Sequence, residues 1–253
     1  MKRVLLARDS ADGVLASVIV YGAMETRYPL FAPLKRTILN YEHLNVPICS
    51  VGVPVRKAEL YINNEGSPKD NGSIIRPGET LSRIAFSLFP DNRYEMLVSR
   101  LGNANFQCFF ELYGASSCFN QLTDDPDSWL DSSVMCYKAH QERLAGEALD
   151  TATFKKDFTG VILPEMHGRY CRELIFDKAD VALAVMVDFP NVYAYSRRDY
   201  VEAVARMKEV RIAERKENYL NGILLKRLPF VKLFDRAFEK LESVKLDRII
   251  MER

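Results

Sequence analysis

Long apolar runs are missing from this 253-residue sequence. The longest candidate, Val14 to Tyr21, is strand length and far short of the ~20 apolar residues that a membrane span needs. A spanning helix is therefore not expected, and neither is a membrane partner. The basic start Met1-Lys2-Arg3 precedes only four apolar residues before charge returns at Arg8 and Asp9, too few for a secretory signal. Histidine is scarce, with 3 residues, and tryptophan occurs once. The 5 cysteines are odd in number and irregularly spaced, which argues against a disulfide framework in a chain of this length. A reducing, cytoplasmic compartment is the expectation.

Chemical signatures are also missing. Neither Gly-x-Gly-x-x-Gly nor a glycine-rich loop ending in Gly-Lys-Ser/Thr occurs, so dinucleotide oxidoreductases and P-loop nucleotidases are disfavoured. No Gly-x-Ser-x-Gly elbow and no His-Glu-x-x-His pattern is present. No repeat of 20–50 residues and no low-complexity tract is visible.

What remains is an ordinary globular composition. Hydrophobic residues reach 48% and charged residues 27%, and 14 Phe with 12 Tyr supply enough large apolar surface to bury a core. Net charge is only +1, but Lys plus Arg against Asp plus Glu runs 13 to 10 over residues 1–100, 7 to 13 over 101–180 and 15 to 11 over 181–253. An acidic middle thus sits between mildly basic ends, with no basic surplus large enough to announce a nucleic-acid domain.

Patterning predicts an α+β chain with a largely antiparallel β N-terminal unit, a mixed α/β middle and a helical C-terminal third. Lys2 to Arg8 and Val14 to Tyr21 read as a hairpin around Asp9-Ser10-Ala11-Asp12-Gly13. With Val46 to Val55 and Lys57 to Asn63 they make an antiparallel unit over residues 1–65. A polar loop from Asn64 to Ser73 follows. Residues 114–195 form an acidic mixed α/β core, with strands at Thr159 to Pro164, Leu174 to Phe176 and Asp180 to Asp188. Residues 196–253 read as a helical arm, started by a capping pattern at Ser196 and Asp199.

The stretch Ile74-Ile75-Arg76-Pro77-Gly78-Glu79-Thr80-Leu81-Ser82-Arg83-Ile84-Ala85 has a strand, a Pro-Gly turn, an acidic residue, Thr-Leu and an amphipathic helix start. It resembles the opening of a LysM module over about residues 73–107, within a βααβ segment at 73–113; Asn103 or Asn105 stands for the family's Asn. The closing half departs, because Phe106-Gln107-Cys108-Phe109-Phe110 follows where the family has a second Pro-Gly turn. The resemblance implies a packing unit of the kind found within phage tail and baseplate proteins.

Two constellations could carry chemistry. Cys136 and His140 are spaced i, i+4, and His167 and Cys171 repeat the spacing in reverse. Four such ligands suit a tetrahedral, structural zinc; the alternative is two buried or half-buried cysteines and two ordinary histidines, with no cofactor at all. For nucleophilic catalysis, Cys118 or Cys171 would need a base such as His167. A third feature is a set of C-terminal interaction residues, Arg197, Arg198, Arg206, Arg211, Arg215, Lys226, Arg227 and Phe230, which could contact a protein or nucleic-acid phosphates.

Three function classes follow. A structural or assembly protein acting through protein partners or self-association, with a virion component as one form of it, fits the missing motifs best. A cysteine- or metal-dependent hydrolase and a nucleic-acid-binding accessory protein are the alternatives.

Overall fold

A computed structural model describes residues 2–65, 73–179, 181–186, 190–195 and 198–251. Residues 66–72 of the loop predicted from Asn64 to Ser73, the cap at Ser196, Arg197 and the strand end at Asp188 lie outside these. The chain divides into two compact units, residues 1–137 and 138–253.

In the first unit the elements run β1 (Val4–Ala7), α1 (Ala11–Ala23), β2 (Leu30–Phe31), α2 (Lys35–His43), β3 (Ile48–Val51), β4 (Leu60–Asn63) and β5 (Ser73–Ile75). Then come α3 (Leu81–Leu88), α4 (Asn92–Ser99), α5 (Ala104–Asp124), a single 3-10 turn at Ser128–Leu130 and the start of α6 (Ser132–Asp150). The five strands pair in the order β2-β1-β3-β4-β5, and every pairing is parallel.

This corrects the expected antiparallel unit. Val14 to Tyr21 is not the return strand of a hairpin but the body of α1, with Val14, Leu15, Ala16, Val18, Ile19 and Val20 all buried. A continuous apolar run bounded by turn residues suits a strand and a fully buried helix equally, and here the helix wins. Ser10 caps it, its hydroxyl accepting from the Gly13 amide at 3.1 Å. The physical reason is topological: β1 has parallel neighbours on both sides, and parallel strands require a crossover between them. One layer of that crossover is α1, which packs on α3 and α5.

The LysM-like segment is corrected as well. Its strand, β5, is the last strand of the parallel sheet and pairs with β4. Thr80 does cap α3, its Oγ1 accepting from the Arg83 amide at 3.3 Å. The expected closing strand at Phe106 to Tyr113 is instead the first half of α5, a helix bent where Gly114 adopts φ 71°. Phe106, Cys108 and Phe109 are buried in it.

The second unit takes the rest of α6, then β6 (Thr153–Lys155), β7 (Phe158–Leu163), α7 (Arg169–Ala179), β8 (Val181–Met186), β9 (Asn191–Tyr195), α8 (Arg198–Ala205), β10 (Val210–Lys216), β11 (Tyr219–Leu224) and α9 (Phe230–Met251). Its sheet has the order β10-β11-β9-β8-β7-β6, with β7 and β8 parallel and the other pairs antiparallel. Alternation along β7 and β9 sends Phe158, Val192 and Ala194 to a core under α8 and α9, built on Tyr200, Phe234, Phe238 and Leu241. Val161, Leu163 and Tyr193 face the other way, onto Leu144, Ala148, Cys171, Ile175 and Phe176 of α6 and α7.

The helical C-terminal arm is thus corrected to two helices around a hairpin, with the hairpin strands built into the sheet. Leu174 to Phe176, expected as a strand, lies in α7. The outermost strand β10 carries Arg211, Glu214, Arg215 and Lys216, all exposed. The opposite edge, β6, has three residues.

Candidate functional site

In an open parallel sheet, ligands bind beyond the carboxyl ends of the strands, where the strand order reverses. In the first unit that point lies between β1 and β3, because β1 is flanked by β2 on one side and β3 on the other. The residues leaving these strands build the site. Arg8 follows β1, its backbone amide still donating to the Val51 carbonyl at 2.9 Å. Its side chain crosses to β3 and β4, with Nε donating to the Gly52 carbonyl at 3.3 Å. One terminal nitrogen donates to Asn64 Oδ1 at 3.4 Å and Glu65 Oε1 at 3.2 Å. The Arg8 side chain as a whole is 31% exposed.

Two glycines make room for this arrangement. A Cβ on Gly13 would lie 2.2 Å from the Arg8 carbonyl oxygen. Gly52 has φ +68°, and a Cβ there would sit 2.7 Å from Leu81 Cδ1 and 3.1 Å from Arg8 Nε. Asn63 shapes the exit of β4: its Nδ2 donates to Tyr61 Oη at 2.9 Å and to the Glu65 carbonyl at 2.7 Å, while Oδ1 accepts from the Asn64 amide at 2.9 Å. Asp12, in the first turn of α1, accepts from the Leu81 amide at 2.7 Å and the Ser82 amide at 2.9 Å. That carboxylate fixes the start of α3 beside the site. Asp9 and Ser10 stand on the turn between β1 and α1.

The sequence-predicted residues fall elsewhere. Cys118 is buried in α5, its thiol donating to the Phe109 carbonyl at 3.4 Å, and burial pushes its pKa up to about 12. A thiol held protonated in this way is a poor nucleophile. Cys171 is buried in the second unit's core, whereas Cys136 is exposed on α6 in the first. His140 lies on α6 with Nδ1 3.1 Å from Arg143. His167 is half-buried, with Nδ1 2.9 Å from the Pro164 carbonyl and Nε2 3.2 Å from Arg172. Among the described residues no group of three or more His, Cys, Asp or Glu could hold a metal ion, so the expected zinc quartet is not gathered.

The C-terminal residues are dispersed. Arg198 is exposed at the start of α8, Arg211 and Arg215 lie on β10, and Lys226 and Arg227 are exposed before α9. Arg206 pairs with Glu202 at 2.9 Å and Asp247 at 2.6 Å, and Arg215 pairs with the same Glu202. Hydrogen bonding from Arg206 first, and from Arg215, holds the Glu202 carboxyl below the usual carboxylate range. Phe230 packs against Phe234, with ring centroids 6.0 Å apart.

Compared with known proteins, the sequence matches no family model and no curated protein. Its structure does match. The pGpG-specific phosphodiesterase PggH from Vibrio cholerae superposes with a TM-score of 0.63 at 14% identity, over 97% of this chain and 100% of that one. The fold is of the RecJ type. Exonuclease RecJ bound to manganese gives 0.61 at 14% identity, over 96% and 89% of the two chains. RecJ in complex with Mn2+ from Thermus thermophilus gives 0.53 at 14% identity, covering 96% of this chain and 52% of that one.

These likenesses overturn three expectations. A fold shared with PggH and RecJ over nearly the whole chain replaces the partial LysM module. The structural, assembly or virion reading loses its ground, because the architectures that this chain matches are those of proteins described as a phosphodiesterase and an exonuclease. The expectation of no cofactor loses its ground, since two of these structures are described with manganese, and zinc finds no support.

The described residues at the carboxyl end of the sheet do not suit such a cation. Both Asp12 oxygens are committed to backbone amides, and Glu65 is paired with Arg8. A hard dication takes oxygen ligands that are free to turn toward it. Among the described residues no helix is long and apolar enough to cross a membrane.

Sequence reasoning missed Arg8, Asp12, Gly52 and Asn63. The available signal was Asp9-Ser10-Ala11-Asp12-Gly13 placed one residue, Arg8, after a four-residue apolar strand, a helix-capping string as well as a hairpin turn.

Proposed function

We propose that this chain is a hydrolase of phosphodiester bonds, acting on a short oligonucleotide or a nucleic-acid end at the carboxyl end of the first unit's sheet. One observation carries the reading: a phosphodiesterase shares the fold over nearly the full length of both chains. The position of Arg8 supports it, because its partly exposed guanidinium stands at the switch point and, with Nε on Gly52 and one terminal nitrogen on Asn64 and Glu65, has a second terminal nitrogen to donate to a phosphate. Hydrolysis adds water across one P–O bond; one product keeps the phosphate, and the other leaves as an alcohol carrying the proton. Arg8 is the residue that offsets charge on the phosphoryl oxygens, and Asp12 keeps the neighbouring helix start in place.

A second reading, phosphodiester binding without turnover, is favoured by one observation: the carboxylate nearest the turn, Asp12, has both oxygens occupied by the α3 backbone.

The test is to incubate the protein with pGpG or with 5′-phosphorylated single-stranded DNA, in Mn2+ and in EDTA, and to resolve products by ion-exchange chromatography. Mononucleotide release that falls at least about tenfold in Arg8→Ala supports hydrolysis. Saturable binding without product supports the second reading. Neither cleavage nor binding would overturn both.

A further inference from the structure

The second unit contains a cleft of about 590 Å3 that the reading above leaves unused. It lies between α7, the end of β9 and the turn joining β10 to β11, entirely within the second unit. Its volume falls in the range of small-molecule sites, ~300–1,000 Å3.

Three aromatic rings line it. Phe176 and Tyr195 are stacked, with centroids 4.7 Å apart and planes 12° from parallel, and Tyr219 meets Tyr195 edge-on at 6.1 Å. Phe176 is buried beneath, while both tyrosines are partly exposed. Burial, the largest influence, raises the Tyr219 pKa, so its hydroxyl stays a hydrogen-bond donor at neutral pH.

The charges on the cleft are not equivalent. Arg169 is paired with Glu173 at 2.7 Å, and Lys216 with Glu214 at 3.1 Å. Arg172 has no carboxylate partner among the described residues. Its guanidinium lies 4.9 Å from the centre of the Tyr193 ring and 3.2 Å from His167 Nε2. These two contacts orient the cation without neutralising it. An oriented, unneutralised guanidinium beside an aromatic wall is suited to a ligand that is both anionic and planar.

We propose that this cleft binds a nucleotide, with the base against Tyr195 and Tyr219 and the phosphate on Arg172. Glu217 and Asn218, in the turn between β10 and β11, supply an acceptor and an amide at the rim for the polar edge of the base. Base stacking on tyrosine and phosphate binding by arginine together account for the mixed lining. The cleft shares no residue with the carboxyl-end site, so the two readings stand or fall separately.

The experiment is calorimetric titration of 5′-GMP and 5′-AMP into the full chain carrying Arg8→Ala, which removes the first unit's phosphate contact. Guanosine, adenosine and inorganic phosphate are the comparison ligands. Nucleotide binding persists in Arg8→Ala, and the nucleosides and phosphate each bind at least about tenfold more weakly. Adding Arg172→Ala weakens the nucleotide at least about tenfold and leaves the nucleoside unchanged. Tyr219→Ala weakens both. Arg172→Lys, which keeps the charge without the planar fork, gives an intermediate loss and replaces Arg172→Ala if that variant fails to fold. Absence of saturable nucleotide binding in Arg8→Ala would overturn the inference while leaving the first unit's function untouched. Binding that survives Arg172→Ala and Tyr219→Ala would overturn it too.

Discussion

Asp12 and Leu81 are 69 residues apart in sequence, yet the Asp12 carboxylate accepts from the Leu81 amide at 2.7 Å. The second oxygen takes the Ser82 amide, so an acidic side chain from α1 satisfies the first turn of α3. The exposed amides at a helix start need such an acceptor, and the helix dipole favours a negative one. Replacing Asp12 by Ala should cost about 1–3 kcal/mol, since it strands two amides. Asp12→Asn keeps one acceptor and should cost less. Urea unfolding of both variants checks the order; equal midpoints for Asp12→Ala and the parent would remove the structural role.

Gly52 and Gly78 separate two penalties that often coincide. Both have positive φ, +68° and +86°, but a Cβ at Gly78 meets nothing within 4 Å, whereas at Gly52 it runs into Leu81 and Arg8. Gly78→Ala should therefore show the backbone cost alone, about 1 kcal/mol. Gly52→Ala should exceed it by roughly a further 1 kcal/mol or more, through overpacking. Thermal denaturation of the two variants side by side measures the difference.

The thiols should differ sharply in reactivity. Of the five, Cys136 is exposed and the others are buried, with burial raising Cys49 to about 11 and Cys118 to about 12. Ellman's reagent should label Cys136 alone in the native protein and all five cysteines in guanidinium chloride. Rapid native labelling that persists in Cys136→Ser would contradict this burial pattern.

His167 should make stability fall in mild acid. Burial, and secondarily the Arg172 guanidinium, holds its pKa below the ordinary histidine value, against the opposing hydrogen bond to the Pro164 carbonyl. The unfolded chain takes up this proton near pH 6.5, but the folded chain does so only at lower pH. Between those two values the unfolded state binds more protons, so stability rises with pH. The contribution is complete above the unfolded value and is lost as pH falls through the folded one. Chemical denaturation at a series of pH values should show a loss below about pH 6.5 that is smaller in His167→Gln.

Much of the framework was legible in local pattern. The apolar tetrad Val4–Ala7, the strand at Phe158–Leu163, the helix start at Thr80 and the last helix all announce themselves through periodicity and caps. The N-terminal topology did not, because Val14 to Val20 is apolar at every position but Ser17, and period cannot separate a buried helix from a buried strand. The hairpin β10–β11 was hidden for the opposite reason. Its charged residues imitate the solvated face of a helix, and only pairing with β9 reveals a strand. The candidate site was illegible in a different way. Arg8 acquires its role from Gly52, Asn64 and Glu65, and no residue of that set is unusual on its own. Cys136, His140, His167 and Cys171 drew notice through their spacing, but spacing along the chain did not bring them to one point.

The charged margin of the second sheet has a consequence for crowded solutions. An outermost strand offers unpaired backbone groups to any extended segment that reaches it. Along β10, an incoming strand would have to lie beside Arg211, Glu214, Arg215 and Lys216 and strip water from each. The three residues of β6 at the other margin give too little length for a stable ladder. Strand-by-strand polymerisation through this sheet is thereby discouraged at both ends.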